Sequence, residues 1–384
     1  MSPGTTVLTS SMVDRLDRDF GERRRARDGV RVHVAVLVAA VASCSLIEDL
    51  DRYDRGDPAA AATATSTGAA SGSGGADGGC GDDGCEPCVG FGVPEVIADD
   101  TARHYGLVVD GSRAYWLTDG PPGTRLMSVD KEGGVATSVV ATDAGVPMLP
   151  SLTSDSTALY WSMFGKKQDL PAGLLSRIDK QSDAGAVLTY LAYHPIGALV
   201  ADGNNIYWPH SGGGMLEGIH KSPKDGNGDI FLVAAAAPRA LALDATNVYY
   251  GAAEGDSYFI RRIDKGGASD AGGTDLATGT GRCMGLAVDA THVYWTVDAG
   301  TICSIPLSGG ACEALATGQD SPESILLDDH AIYWTTSTSV MCLPRSGGSA
   351  QAIAVDQGEP RFLVSDGSSL YWMSEGVGVM GMRR

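Results

Sequence analysis

The chain has 384 residues, of which 43% are apolar, so it can form a sizeable core and global disorder is excluded. Its formal net charge of −19 repels nucleic acid and anionic lipid, which argues against nucleic-acid binding. Glycine is abundant, with 52 residues, and turns rich in Gly and Asp favour many short strands over a few long helices. The composition therefore predicts an all-β protein.

The first 44 residues predict a signal peptide with a lipidation site. Five of the seven arginines that precede Cys44 lie in residues 23–31, and an apolar stretch follows over residues 32–42. A transmembrane helix needs about 20 apolar residues, so this shorter stretch favours a signal peptide. Residues 41–44 (VASC) resemble the lipobox of bacterial lipoproteins, which implies lipidation of Cys44. The alternative is ordinary signal cleavage nearby, with Cys44 unmodified.

Residues 45–91 predict a flexible tether. Between Pro58 and Gly79 the chain is almost wholly Ala, Thr, Ser and Gly, with no large side chain to bury. A segment of this length has a reach of roughly 25 Å. The expected location is a bacterial cell envelope, with the protein either lipid-anchored or periplasmic or extracellular. Membrane contact is expected only through the anchor, and a monomer is expected.

A motif that occurs seven times dominates residues 105–384. An aspartate stands five residues before a tyrosine, and the tyrosine is followed by Trp in six copies and by Tyr250 in the other. The seven tyrosines are Tyr115, Tyr160, Tyr207, Tyr249, Tyr294, Tyr333 and Tyr371. Their spacings of 45, 47, 42, 45, 39 and 38 residues are typical of a four-stranded propeller blade. Residues 92–384 are therefore predicted to form a seven-bladed β-propeller of four-stranded blades.

The two ends of the repeat region predict how this propeller closes. Only 12 residues follow Trp372, which is enough for a third strand at 377–382 but not for a fourth. The N-terminal segment Val93–Ala98 is predicted to supply that missing strand and so to complete the last blade. Pro94 is compatible with this position because the strand lies at an edge of its sheet.

The repeated side chains are predicted to have structural roles. An Asp that opens a turn accepts hydrogen bonds from the backbone just downstream, so the seven aspartates are interpreted as turn formers and not as catalytic carboxylates. Neighbouring Tyr and Trp side chains alternate across the pleat of a strand. Their rings are therefore predicted to fill the wedges between neighbouring blades.

Residues 285–296 (GLAVDATHVYWT) carry a family resemblance. They are similar to the YWTD repeat of LDL-receptor class B propellers and to related repeats of bacterial secreted proteins. The resemblance covers residues 92–384 and implies a propeller fold. The Thr of the YWTD sequence is present in only two copies, at Thr296 and Thr335. The receptor propellers also have six blades, whereas this chain has seven motifs.

Apart from Cys44, the cysteines form two groups. Cys80, Cys85 and Cys88 precede the first blade, and Cys283, Cys303, Cys312 and Cys342 belong to blades five and six. Export makes disulfides the default, and the alternative of a zinc site in the first group lacks a fourth ligand nearby. Cys303 and Cys312 share a hairpin whose turn sets Cys312 opposite Ile305 or Pro306. The partners are therefore left open, and one thiol can remain free.

Residues 225–229 (DGNGD) resemble the opening of a calcium loop, but no Glu stands at the twelfth loop position. The alignment of the copies makes this segment the last hairpin turn of blade three. The seven His are scattered, and neither a Gly-x-Ser-x-Gly nor a Walker-type motif occurs. No cofactor, metal site or catalytic residue is predicted, with calcium at this segment as the open alternative.

Binding residues are predicted on the connections between second and third strands. A propeller exposes these connections on one face together with the mouth of its channel, and blades one to four enlarge them. The candidates are Asp119, Arg125, Phe164, Lys166, Lys167, Asp169, His210, Met215, Glu254, Asp256 and Tyr258. A solvated face without a ligand is the alternative.

The regular repeats without a catalytic constellation favour a non-enzymatic scaffold. The leading hypothesis is an exported, lipid-anchored propeller that binds a protein or a polysaccharide at the cell surface. One alternative is a calcium-dependent hydrolase or lyase that resembles the gluconolactonase and strictosidine-synthase group. Another is a structural subunit of an envelope assembly.

Overall fold

The computed structural model describes residues 88–120, 123–141, 151–167, 170–180, 188–192, 198–211, 217–226, 228–267 and 273–384. The predicted signal peptide and most of the predicted tether lie outside these residues, and so do Cys44, Cys80 and Cys85. The described ranges contain no helix that is long and apolar enough to cross a membrane.

In the described ranges, twenty-eight strands form seven antiparallel sheets of four strands, and each sheet is one blade. The first strand, β1 (Glu95–Asp99), belongs to the last blade. Blade one contains β2 (His104–Val109), β3 (Arg113–Gly120), β4 (Gly123–Asp130) and β5 (Thr137–Ala141). Blade two contains β6 (Leu152–Ser154), β7 (Ala158–Lys167), β8 (Leu170–Asp179) and β9 (Leu188–Ala192). Blade three contains β10 (Val200–Ala201), β11 (Asn205–His210), β12 (Gly218–Pro223) and β13 (Ile230–Ala234).

The remaining blades follow the same order. Blade four contains β14 (Leu241–Leu243), β15 (Asn247–Glu254), β16 (Ser257–Asp264) and β17 (Thr274–Thr280). Blade five contains β18 (Cys283–Val288), β19 (His292–Val297), β20 (Thr301–Pro306) and β21 (Glu313–Ala316). Blade six contains β22 (Ile325–Leu327), β23 (Ala331–Thr335), β24 (Val340–Pro344) and β25 (Gln351–Ala354). Blade seven contains β26 (Pro360–Ser365), β27 (Ser369–Ser374) and β28 (Gly378–Arg383), together with β1. The predicted seven-bladed propeller is confirmed.

Each of the seven wedges between neighbouring blades has its own apolar core. Between blades five and six, Tyr294 of the first blade and Trp334 of the second share one cluster with Ile302 and Leu343. Every other wedge likewise combines the motif tyrosine of one blade with the following ring of the next. Successive side chains of a strand point to opposite faces, so each Tyr-Trp pair supplies one ring to each flanking wedge. The predicted packing role of these rings is confirmed.

The seven motif aspartates form the turns between first and second strands. In every copy, Oδ1 accepts hydrogen bonds from the backbone amides two and three residues downstream. Asp289, for example, accepts the amides of Thr291 and His292, each at 2.7 Å. The side chain thus replaces backbone partners that the tight turn lacks, as the sequence predicted.

The propeller closes by pairing its two chain ends. Strand β1 is antiparallel to β28, with Glu95 opposite Gly381 and Asp99 opposite Gly378. Gly381 allows a close approach, because a Cβ at this position would lie 2.8 Å from the Ile97 side chain. The predicted closing strand is confirmed, and the third strand lies one residue later than predicted, at Gly378–Arg383.

Two disulfides tie the described part of the chain. Cys88 pairs with Cys342, 254 residues away, and Cys303 pairs with Cys312. The first bond joins the segment before β1 to β24 of blade six, so it fastens the closing blade to its neighbour. Cys283 is buried and free, and burial raises the pKa of its thiol. A low fraction of reactive thiolate follows.

Candidate binding surface

The hairpins between second and third strands are longer in three of the first four blades. Their two strands have eight residues each in blades one and four and ten residues each in blade two. The corresponding strands of blades five to seven have five or six residues. In blades one, two and four the additional residues therefore extend paired β-ribbons, whereas the sequence predicted larger loops. Blade three instead has six-residue strands and a longer connection between His210 and Gly218.

In blade one, Asp119 and Arg125 lie on opposite strands of the same hairpin. Asp119 pairs with Thr124, the neighbour of Arg125, and its Oδ2 accepts the hydroxyl of Tyr105 at 2.5 Å. Burial and this bond to a carboxylate both raise the pKa of Tyr105, so the phenol stays protonated. Arg125 also borders a cavity of about 410 Å³ together with Asp99. Two predicted residues thus lie together on one hairpin, and one of them, Arg125, borders a cavity.

In blade four, Glu254 and Asp256 lie at the hairpin tip, whereas Tyr258 does not reach the surface. Glu254 forms an ion pair with Arg261, with 3.5 Å between Oε1 and the guanidinium nitrogen. The Tyr258 side chain is 4% exposed and packs edge-on against Trp295, with ring centroids 6.0 Å apart. The connection has only two residues, so Tyr258 already belongs to β16 and its ring faces the wedge. Its predicted place among exposed binding residues is therefore corrected to the core.

In blade three, His210 is also largely buried. It is 6% exposed, and its ring stands edge-on to His220 at 5.6 Å. His220 stacks on Trp208 and contacts Asp229 at 2.9 Å between Nδ1 and Oδ1. Asp229 stands directly before β13, so the described residues Asp225, Gly226, Gly228 and Asp229 lie at the predicted hairpin turn of blade three, between β12 and β13.

The remaining candidates are only partly described. The backbones of Phe164, Lys166 and Lys167 lie on β7, at the tip of the longest ribbon. Their side chains, Asp169 and Met215 lie outside the described part of the chain. Across the described ranges, no group of three or more His, Cys, Asp or Glu side chains is arranged to hold a metal ion.

The opposite face carries a second repeated arrangement, which the sequence analysis missed. In six wedges, a Lys or Arg that follows the third strand of one blade contacts the motif Asp of the preceding blade. We call each such contact a clamp. The six clamps are Lys131–Asp366, Lys180–Asp110, Lys224–Asp155, Lys265–Asp202, Arg345–Asp289 and Arg384–Asp328.

Each clamp also includes the motif tyrosine. The cation stands over the tyrosine ring, at 5.5 Å for Lys224 over Tyr160 and 5.7 Å for Lys265 over Tyr207. In four of these clamps the same tyrosine donates its hydroxyl to the clamped carboxylate, as Tyr160 does to Asp155 at 3.0 Å. Each cation is therefore attracted both by the carboxylate and by the face of the tyrosine ring. A clamp therefore places an ion pair between two neighbouring blades, at the end of their wedge that lies on this face.

At Asp110, Asp155, Asp202 and Asp366, the clamp and the turn bonds lower the pKa of the carboxyl group and so favour its ionised form. Partial burial by itself would raise the pKa of Asp366, but the bond from Lys131 and those from the turn lower it to about 2. The pKa of Asp155 is lowered in the same way by Lys224 and Thr157, against the effect of burial. A repeated basic residue at the start of the last hairpin turn is the sequence signal that could have revealed the clamps.

No protein-family model and no curated protein matches this sequence. Solved structures are similar to it at low identity. A catalytically inactive virginiamycin B lyase from Staphylococcus aureus has a TM-score of 0.58 and 14% identity, over 77% of this chain and all of that one. YCF48 from Cyanidioschyzon merolae has a TM-score of 0.56 and 11% identity, over 76% of this chain and 99% of that one.

A third similar structure is PorZ, described as an essential bacterial surface component of the type-IX secretion system of Porphyromonas gingivalis. It has a TM-score of 0.53 and 14% identity, over 75% of this chain and 37% of that one. At such identities the similarity concerns the fold. The closed ring of seven four-stranded sheets places this protein in the class of seven-bladed β-propellers.

Proposed function

We propose that this protein is an exported, lipid-anchored and non-enzymatic propeller that binds a protein or a polysaccharide at the cell surface. The observation that carries the proposal is the unequal length of the hairpins on one face. Ribbons of eight to ten residues in blades one, two and four stand beside strands of five or six residues in blades five to seven. A rigid ring with long ribbons on one side offers an uneven surface for a large partner.

Export is supported by the disulfides. Cytosolic thiols are kept reduced, so two disulfides in one propeller favour an oxidising compartment. The proposed organisation is a signal peptide with a lipobox at residues 1–44, a tether at 45–91 and the propeller at 92–384.

The repeats are proposed to be of the YWTD-like type. Thr296 occupies the Thr position of the YWTD sequence, and its hydroxyl accepts the amide of Gly285 at 2.8 Å and donates to the carbonyl of Glu323 at 2.7 Å. In the next copy, the Thr335 hydroxyl likewise accepts a hydrogen bond from the backbone amide of Ser324. A hydroxyl at this position thus ties strands and, at Thr296, neighbouring blades. This role gives a physical reason for the Thr where it occurs.

The anchor is tested by mass spectrometry of the mature protein from a bacterial host that lipidates exported proteins. We expect an N-terminal Cys44 that carries two or three acyl chains, and a Cys44→Ala variant that is not acylated and leaves the membrane fraction. An unmodified Cys44, or an N-terminus elsewhere, would contradict the anchor and leave the binding surface untouched.

The binding surface is tested by shortening the ribbons. Replacing the tips of the blade-two and blade-four hairpins by the three-residue connection of blade five, residues 298–300, is expected to reduce capture of surface proteins or polysaccharides at least tenfold. The reason is that the projecting contacts are lost while the wedges remain. Capture by immobilised full-length protein, followed by identification of the bound species, measures this effect.

A matched control changes a short hairpin on the same face. Replacing residues 375–377 in blade seven by the blade-five connection should leave capture unchanged. Both variants should keep a Tm close to that of the original protein. If the short-ribbon variant captures as much as the original protein, the ribbons are not the binding surface and the proposed location of the partner is wrong.

A further inference from the structure

Among the residues that the structure describes, one of the seven wedges has no clamp. Between blades four and five, Leu307 stands where the other wedges have Lys or Arg. Its backbone amide donates to the carbonyl of Thr291, two residues after the motif Asp289. The six clamp cations make this same backbone bond in their own blades, as Lys265 does with Thr246. Leu307 is therefore the structural equivalent of the clamp cations.

The motif aspartate of the preceding blade, which a cation at position 307 would contact, is Asp244. Among the described residues, Asp244 has no Lys or Arg within ion-pair distance, and its partners are the turn amides, Asn247 and the hydroxyl of Tyr249 at 2.7 Å. Burial alone would raise its pKa, but the bonds from Tyr249 and the turn lower it. Asp244 is thus a half-buried negative charge beside a tyrosine, with the cation of the repeat missing.

A nearby arginine does not take the place of the missing cation. Arg262 lies opposite Tyr249 on β16 and donates to the Leu307 carbonyl at 3.1 Å. Blade two has an equivalent arginine, Arg177, which bonds the Lys224 carbonyl at 3.3 Å while Lys224 still clamps its Asp. An arginine at this position therefore coexists with a clamp cation.

The wedge without a clamp opens into a cavity of about 740 Å³. Asp244, Leu307 and Thr246 line it together with Asp202 and Asp289 from the adjacent turns and with Lys265, the clamp cation of Asp202. Asp202 and Asp289 are neutralised by their own clamps. Among the charged side chains that line the cavity, Asp244 is therefore the one without an ion-pair partner in the described residues. Apolar side chains such as Leu307 supply the wall beside it.

We propose that this cavity binds an alkylammonium or guanidinium group that enters from outside and completes the seventh clamp. Six internal copies define the recognition chemistry, which is a carboxylate held by its turn and the face of the motif tyrosine ring beneath the cation. In four of them the tyrosine hydroxyl also bonds the carboxylate, as it does at Asp244. A lysine or arginine side chain of a partner polypeptide has this chemistry, and so has a free diamine. The site lies on the face opposite the long ribbons and does not depend on the function proposed for them.

The proposal is tested by calorimetric titration of the full-length protein with Nα-acetyl-lysine methylamide. Nα-acetyl-norleucine methylamide is the matched probe without charge, and 1,5-diaminopentane represents free diamines. We expect the lysine probe to bind at least tenfold more tightly than the norleucine probe. Tighter binding of the diamine than of the lysine probe would identify a small metabolite as the source of the cation, and the reverse would identify a polypeptide.

Two variants connect this binding to the proposed residues. Leu307→Lys should supply the missing cation internally, lower the affinity for the lysine probe at least tenfold and raise Tm by about 1–2 °C. Asp244→Asn should lower the affinity by a similar factor without that rise. Asp110→Asn changes a clamped aspartate in a distant wedge and should leave the affinity within about twofold.

Equal binding of the lysine and norleucine probes by the original protein would overturn the proposal. Undiminished lysine binding by both Leu307→Lys and Asp244→Asn would overturn it as well, because the cation would then bind elsewhere. Asp244→Asn differs from the original side chain by one group at a half-buried position, so it provides the decisive comparison even where Leu307→Lys folds poorly.

Discussion

Deletion of residues 93–99 is expected to lower Tm by at least about 10 °C or to abolish cooperative unfolding. The deletion removes β1 and takes Ile97 and Ala98 out of the core between blades seven and one. Loss of a buried aliphatic side chain costs about 2–5 kcal/mol, and about 1 kcal/mol shifts Tm of a large domain by roughly 2–4 °C. The edge of β28 also loses its partner strand, which leaves an open sheet prone to association. Circular dichroism during heating measures the effect.

Two point variants separate closure from a general effect of mutating the N-terminal segment. Ile97 is 9% exposed and faces the core, whereas its neighbour Val96 is 53% exposed on the same strand. Ile97→Asp should reproduce much of the loss, because it buries an unpaired charge, and Val96→Lys should leave Tm nearly unchanged. Addition of a synthetic peptide of residues 88–99 should restore part of the stability of the deletion variant. A deletion variant as stable as the original protein would refute closure by β1.

Removal of the disulfide between Cys88 and Cys342 is expected to cost about 5 kcal/mol of unfolding free energy. In the chain-entropy model, the stabilisation by a disulfide grows with the loop that it closes, and this bond joins residues 254 apart. It also holds the segment before β1 against blade six, so its loss weakens the closing blade. Denaturant unfolding of a variant with both cysteines replaced by Ala measures the change.

The second disulfide provides the matched control. Cys303 and Cys312 are nine residues apart, so the same model gives about 2.5 kcal/mol for their bond. The Cys303→Ala, Cys312→Ala variant should therefore lose about half as much stability as the Cys88, Cys342 variant. A larger loss for the short-loop pair would show that chain entropy does not govern the stability of this ring.

The features that the sequence predicted correctly are those that each copy contains in full. The Asp turn needs only the carboxylate and the three residues after it, and alternation along one strand is enough to place Tyr294 and Trp295 in different wedges. The closing strand was predictable as well, because the seventh copy ends one strand short and an unpaired edge must find a partner.

The disulfide partners were not predictable, because they depend on how distant blades are arranged. Cys88 and Cys342 have a Cα–Cα distance of 5.7 Å, although nothing in either local sequence relates them. The hairpin register sets Ser304 opposite Glu313, which places Cys312 beyond the pairing that the strand pattern specifies. The bond to Cys303 therefore runs diagonally, which a count of residues around the turn does not reveal.

The candidate binding residues show the same division between local and tertiary information. The sequence located the hairpins of blades one to four as the place where the repeats differ, since length differences between copies are visible in the spacing. Whether a residue near a hairpin tip is exposed depends on where the turn falls. Tyr258 is buried because the turn takes only the two residues before β16.

The sequence by itself determined the number of blades, the turn in each and the rings between them, because each of these features depends on contacts within one copy or on alternation along one strand. Only the tertiary structure decided which residues meet across a wedge. The clamp of Lys265 on Asp202 links two blades, and so does the gap that Leu307 leaves at Asp244. Such contacts depend on the angle and spacing between neighbouring sheets, and a pattern read along one chain does not contain them.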